Sequence, residues 1–221
     1  MLSCVFLILY LAAASVNLSA ARRDRTLYFA ATKPMLLLLL CLYVFSRGGE
    51  NADSLLVCAL LSCFLGDVLL MPEGTLWFFS GGVFFLAGHI LLILNFASEI
   101  DLARLPLYVV IPSAAVYTAV SGLVMFRSRK KAPALMQIPM LLYLLANSVM
   151  NVFALVRLFV SPGVWSALSF TGAILFFLSD CALFLLRYDA GRKRFYMSGF
   201  FVMLTYISGV LLIALGLAPP V

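Results

Sequence analysis

A chain of 221 residues that is 65% apolar and only 11% charged, with a net charge of +6, is not an ordinary soluble domain, since those carry about 25% charged residues. The same figures exclude intrinsic disorder, and five cysteines are too few for a disulfide-stapled secreted fold. What remains is a polytopic membrane protein, because each bilayer crossing takes about 20 apolar residues.

The apolar stretches predict an all-α bundle of eight transmembrane helices in a single domain, near 2–21, 30–46, 54–71, 76–97, 105–126, 134–157, 164–186 and 195–217. They are too long for buried strands and lack the alternation of barrel strands. The first span has no basic residue before it and Arg22, Arg23 and Arg25 after it. Those flanks are the reverse of a signal peptide, so a retained helix is expected. In the second, Lys33-Pro34 falls near the start, where proline is at home; the lysine can snorkel outward or turn in toward an anion. Met71-Pro72-Glu73-Gly74 is so short that the third and fourth helices form a tight antiparallel hairpin. Within the fourth, Ser80-Gly81-Gly82 and Gly88 read as small residues for close helix packing. Ser161-Pro162-Gly163 separates the sixth helix from the seventh, and Pro219-Pro220 closes the chain.

Charge sets the expected orientation. Of fifteen basic residues, Arg47, Arg104 and Arg157 fall one each in the second, fourth and sixth loops; the odd loops hold the rest, Arg127, Arg129, Lys130, Lys131, Arg187, Arg192, Lys193 and Arg194 among them. Positive-inside puts the odd loops in the cytoplasm and both termini outside. The positive charge then serves as anchors at an anionic leaflet, and no nucleic-acid partner is expected.

Seven of the nine acidic residues lie in loops or at helix ends; Asp67 and Asp180 do not. A carboxylate at membrane depth costs about 2.5–3.5 kcal/mol on insertion scales, so such residues tend to be functional. Asp67 lies about four residues from the inner end of the third helix and Asp180 about six from that of the seventh, so their depths match within about 3 Å. The pair could meet, and two close aspartates in such a bundle would share a proton. The bland alternative is that each merely fixes helix packing through a nearby hydroxyl or ammonium.

Asn17, Tyr28 and Lys33 fall near that layer, whereas His89, Asn147, Asn151 and Tyr206 fall nearer mid-helix. A lone buried histidine is more often a satisfied hydrogen-bond donor than a catalyst. One histidine, with Cys4, Cys41, Cys58, Cys63 and Cys181 scattered and no CxxC pair, offers no metal-ligand set. No metal or cofactor is expected. No GxSxG elbow and no P-loop occurs.

Ordered along the chain are Thr32-Lys33-Pro34, Gly66-Asp67, Gly88-His89, Gly172-Ala173-x-Leu175-Phe176-x-x-Ser179-Asp180 and Thr205-Tyr206. As a set they resemble the lysoplasmalogenase, or YhhN-like, family of eight-helix membrane proteins. The resemblance covers the whole chain and implies hydrolysis of the vinyl ether bond of lysoplasmalogens, releasing a fatty aldehyde and a glycerophospho-ethanolamine or -choline. It also implies that Asp67 and Asp180 are catalytic.

Vinyl ether hydrolysis needs a general acid to protonate an alkene carbon, a carboxylate to stabilise the oxocarbenium ion and orient water, and little bulk water; glycosidases meet a similar cation with two carboxyl groups. Lys33, His89, Asn147 and Tyr206 are the candidate substrate-binding residues, with Lys33 or the loop arginines toward the phosphate. The expected partners are a lysophospholipid substrate and membrane lipids. An ion-coupled transporter is the main alternative, since paired membrane carboxylates also serve as proton or cation sites. A di-aspartyl protease fits less well, because neither aspartate sits in a YD or GxGD motif. A scaffold role leaves two costly aspartates without a task. The lean composition and short tails fit a bacterial inner membrane better than an endoplasmic reticulum.

Overall fold

Every long apolar run folds as helix, because only a helix satisfies its own backbone polar groups where water is absent. The structure, a computed structural model, describes residues 2–23, 26–188 and 198–218. Asp24, Arg25, Asp189, Arg192, Lys193, Arg194, residues 195–197 of the last predicted helix and Pro219-Pro220 lie outside the described residues. The helices are α1 (Leu2–Arg22), α2 (Thr26–Gly48), α3 (Ser54–Leu69), α4 (Thr75–Ser98), α5 (Leu107–Ser128), α6 (Ala134–Val160), α7 (Val164–Tyr188) and α8 (Gly199–Leu217).

Seven of them are long and apolar enough to cross a membrane; α3, with 16 residues, is the short one. At about 1.5 Å per residue it rises about 24 Å, less than the hydrocarbon thickness of about 30 Å. It ends two residues before the predicted boundary, where the Leu70 amide caps onto the Gly66 carbonyl and Pro72 disfavours helical geometry at Met71. Gly74, at φ 133°, takes a backbone conformation suited to glycine and starts α4 directly.

The start of α2 corrects the sequence reading. The helix begins at Thr26, so Lys33-Pro34 lie two turns inside it rather than in its first turn. Pro34 leaves the Ala30 carbonyl without its helical donor, a loss that membrane helices tolerate. Lys33 therefore does not belong to the first loop.

Packing closes a ring. α1 packs on α2, α2 on α3, α3 on α4, α4 on α6, α6 on α7, α7 on α8, and α8 returns to α1. α5 stands outside against α6 and α7, held by the edge-on Tyr117–Phe177 ring contact at 5.1 Å and by Ser121 Oγ, 3.0 Å from Ser148 Oγ. Its exposed Ile111, Val116, Leu123 and Phe126 make an apolar outer face of the kind lipid covers.

Two helix pairs approach through glycine. A Cβ on Gly88 would stand 2.7 Å from Cys63 Sγ, and one on Gly66 2.6 Å from the Phe85 ring, so α3 and α4 touch nearly backbone to backbone. Between α7 and α8, a Cβ on Gly172 would stand 2.6 Å from the Gly209 carbonyl oxygen. Gly81 and Gly88 are the close-packing residues that the sequence suggested. Gly82 is not, since a Cβ there meets nothing within 4 Å.

At the end of the bundle away from the α3–α4 turn, the buried Arg157 donates to Glu99 Oε2 at 2.7 Å, Ser169 Oγ at 2.8 Å and the Gly216 carbonyl at 3.4 Å. One guanidinium thus ties α6 to α7, α8 and the end of α4. Asn95 of α4 similarly donates to Asp53, the residue capping the start of α3.

Candidate active site

Six of the seven ring helices each send polar side chains to the interior at one level, and these gather around the two aspartates. Asp67, on the last turn of α3, is fully buried. Lys33 Nζ of α2 lies 3.0 Å from its Oδ1 as an ion pair, and Tyr206 of α8 donates to its Oδ2 at 2.7 Å. α2 runs unbroken through Pro34 and carries Lys33 beside α3. Of the two directions open to that lysine, it takes the inward one.

Asp180, two turns before the end of α7, collects its contacts on one oxygen. Tyr143 donates to Oδ2 at 2.8 Å and Asn147 at 2.7 Å, both from α6. His89 Nε2 of α4 lies 3.3 Å from the same oxygen. The other ring nitrogen, Nδ1, is 2.7 Å from the Phe85 carbonyl, which can only accept, so Nδ1 carries a hydrogen. Nε2 thus faces the carboxyl oxygen that also accepts from Tyr143 and Asn147. Asn151, one turn along α6, donates to the Asn147 carbonyl and to Asn147 Oδ1, both at 3.0 Å, which turns the Asn147 amide nitrogen toward Asp180.

Aromatic rings separate the two clusters. The Phe176 centroid lies 4.9 Å from that of His89 and 5.5 Å from that of Tyr206, and the Phe85 centroid lies 5.9 Å from that of Tyr206. No hydrogen bond joins the two carboxylates among the described residues. The sequence leaves open whether the two aspartates meet; in the structure they are two separately held carboxyl groups on the walls of one cavity. Because α3 ends early and α7 runs to Tyr188, Asp67 is two residues from its helix end and Asp180 eight.

The cavity, of about 250 Å³, is lined by Lys33, Asp67, Tyr143, Asp180 and Tyr206 and reaches Arg187 and Gly199 at the ends of α7 and α8. Arg187 stands at that mouth, its guanidinium 4.1 Å from the Phe78 ring centroid and its Nη2 donating to the Gly74 carbonyl at 3.3 Å. A second space of about 200 Å³, between α4 and α6, is lined by apolar side chains and the Tyr143 ring.

All four candidate substrate-binding residues touch an aspartate, Lys33 and Tyr206 on one side and His89 and Asn147 on the other. Asn17 instead ties α1 to α2 through Thr32 Oγ1 at 2.9 Å, and Tyr28 is exposed. Sequence reasoning missed Tyr143. Its signal was the i, i+4 spacing of Tyr143, Asn147 and Asn151, which puts all three on one face of α6. Among the described residues, no three His, Cys, Asp or Glu side chains converge in a way that could hold a metal ion.

Stability alone does not account for these groups. Hydrogen bonds inside membrane bundles average about 0.6 kcal/mol, and replacing a buried ion pair by apolar residues is often neutral or stabilising by about 1–4 kcal/mol.

A closed helical ring around two buried carboxyl groups, open at one end of the bundle, defines a polytopic membrane protein with an interior polar centre. The chain belongs to the YhhN family, the lysoplasmalogenase family, which matches residues 28–217 and so takes in both aspartates and every residue that contacts them. No curated protein and no solved structure matches the chain.

Proposed function

We propose that the protein is a membrane hydrolase that cleaves the vinyl ether bond of lysoplasmalogens to a fatty aldehyde and glycerophospho-ethanolamine or -choline. The observation that carries this is the pair of differently held carboxyl groups on one cavity, Asp67 beside the Lys33 ammonium and Asp180 beside the His89 imidazole, the Tyr143 hydroxyl and the Asn147 amide.

The roles follow from the partners. Asp67, ion-paired with Lys33, is assigned as the carboxylate, and Asp180, which among the described residues has no basic group beside it other than the His89 imidazole, as the acid. Asp180 gives its proton to the alkene carbon farther from the ether oxygen, and the double-bond electrons form that C–H bond, leaving an oxocarbenium ion. Water attacks the ether-bearing carbon while Asp67 takes one of its protons, giving a hemiacetal. Asp180 then removes the hemiacetal hydroxyl proton, the bond to the glycerol oxygen breaks, and Asp67 returns its proton to that oxygen. Both groups end in their starting states. With Lys33 committed to Asp67, the lipid phosphate is assigned to Arg187 at the mouth.

The orientation proposed is the one charge favours, with the α1–α2, α3–α4, α5–α6 and α7–α8 connections on the cytoplasmic side, in a bacterial inner membrane. The lipid headgroup then enters from the inner leaflet.

The test is aldehyde release from lysoplasmenyl-ethanolamine by the purified protein in detergent, with Asp67→Asn, Asp180→Asn and a chelator run alongside. Release that is lost in both variants and insensitive to chelator is expected. In heavy water each turnover places one deuteron on the carbon next to the aldehyde. Folded protein that releases no aldehyde but drives substrate flux across liposomes would replace the hydrolase with an ion-coupled transporter.

A further inference from the structure

We propose that the groove between α4 and α6 holds the hydrocarbon chain of the lysolipid, and that Gly82 is the specificity-determining position that lets the chain pass; this rests on the hydrolase function proposed above. The groove adjoins the aspartate cavity, for Leu70, Phe78, Phe85, Tyr143 and Leu183 line both. Tyr143 is the hinge between them, with its hydroxyl on Asp180 and its ring on the groove.

That junction fits the chemistry of the substrate. The two reacting carbons of a vinyl ether are the first two of its chain, so the chain must begin where the carboxyl groups are and continue into apolar space. From Phe78 to Leu86 along α4 the groove runs about 12 Å at 1.5 Å per residue. Among its lining side chains the one hydroxyl is that of Tyr143, already bonded to Asp180, so water finds few partners there. On the outer rim Phe79, Val83 and Leu142 are 37%, 47% and 54% exposed on a face that lipid covers. A chain can therefore slide in from the bilayer while its headgroup remains at the mouth by Arg187.

Gly82 separates this groove from ordinary helix packing. A Cβ on Gly66, Gly81 or Gly88 would collide within 3 Å, whereas one on Gly82 would meet nothing within 4 Å. Its missing side chain leaves space in the groove wall, and a larger residue there would extend into that space.

Two measurements test this. First, Gly82→Leu is compared with wild type on short-chain and long-chain alkenyl substrates. The long-chain over short-chain ratio of kcat/KM is expected to fall about tenfold or more, within the range that hydrophobic pockets discriminate. An unchanged ratio overturns the assignment. Second, a 1-O-alkyl lysophosphoethanolamine with a diazirine early in its chain, which is not hydrolysed, is photo-crosslinked to the wild-type protein. Crosslinks are expected on α4 and α6 around Val83 and Met140; crosslinks confined to other helices overturn the groove. If aldehyde is released but the crosslinks lie elsewhere, the hydrolase stands and the groove falls. If no aldehyde is released and the crosslinks fill the groove, the chain site stands without the hydrolase.

Discussion

Lys33 Nζ and Asp67 Oδ1 stand 3.0 Å apart on adjacent helices, both side chains nearly shut off from the exterior. A pair so enclosed makes each charge depend on the other, because a lone charge in that setting lacks compensation.

Removing only the ammonium therefore strands a carboxylate. Lys33→Met is expected to cost about 3–5 kcal/mol of stability, read as a lowered melting temperature in detergent at neutral pH. Protonating the stranded carboxyl relieves the defect, so the deficit narrows as pH falls. Lys33→Met combined with Asp67→Asn regains most of the stability and stays inactive. A single variant as stable as wild type would show that the pair is not closed in the folded protein.

The tyrosines give a finer test. Tyr143→Phe and Tyr206→Phe each remove one hydrogen bond to a carboxyl oxygen and leave the ring packing in place. Hydrogen bonds to charged groups contribute about 1.5–3 kcal/mol, so kcat should fall about tenfold to a hundredfold with little change in KM. A rise in KM at constant kcat would make the hydroxyls substrate binders instead of carboxyl positioners.

Arg157 predicts the opposite pattern. It lies fourteen residues beyond Tyr143 on α6, about 21 Å along the helix, and fastens that end of the bundle. Arg157→Met should lower the melting temperature by an amount equivalent to about 1–3 kcal/mol, discounted because Glu99 is partly exposed. KM for the lysolipid should not move.

Glycine positions separate packing from open space. A Cβ at Gly172 would meet the backbone at Gly209 and Ile213, neither of which can swing aside. Gly172→Ala is expected to destabilise by about 1–3 kcal/mol, as overpacking does. Gly82→Ala, with nothing in its way, should be neutral or gain up to about 1 kcal/mol from the lower backbone entropy of alanine. Thermal unfolding of the two variants side by side checks both.

The cost of charge in lipid made part of the site legible in the sequence: Asp67 and Asp180 stand out because nothing else in their apolar runs would be so expensive. His89, Asn147 and Tyr206 stood out as polar residues near mid-helix, but their partners did not. Tyr143 was hidden because tyrosine is at home in an apolar helix. Which partner a side chain meets depends on helix rotation and on neighbours distant in the chain, neither of which hydropathy records.

By itself the sequence determined the membrane class, the eight helices and most of their boundaries, because these follow from local apolar length and from turn residues such as Pro72 and Gly74. It also isolated the two aspartates. Only the tertiary structure decided that seven helices close a ring with α5 outside, that Lys33 turns inward to Asp67 while His89 faces Asp180, and that the carboxyl groups are held separately. It alone distinguished Gly82, open to a groove, from Gly81, pressed against Leu70. These outcomes depend on how helices rotate and stack on one another, and an apolar residue facing lipid looks in sequence the same as one facing the core.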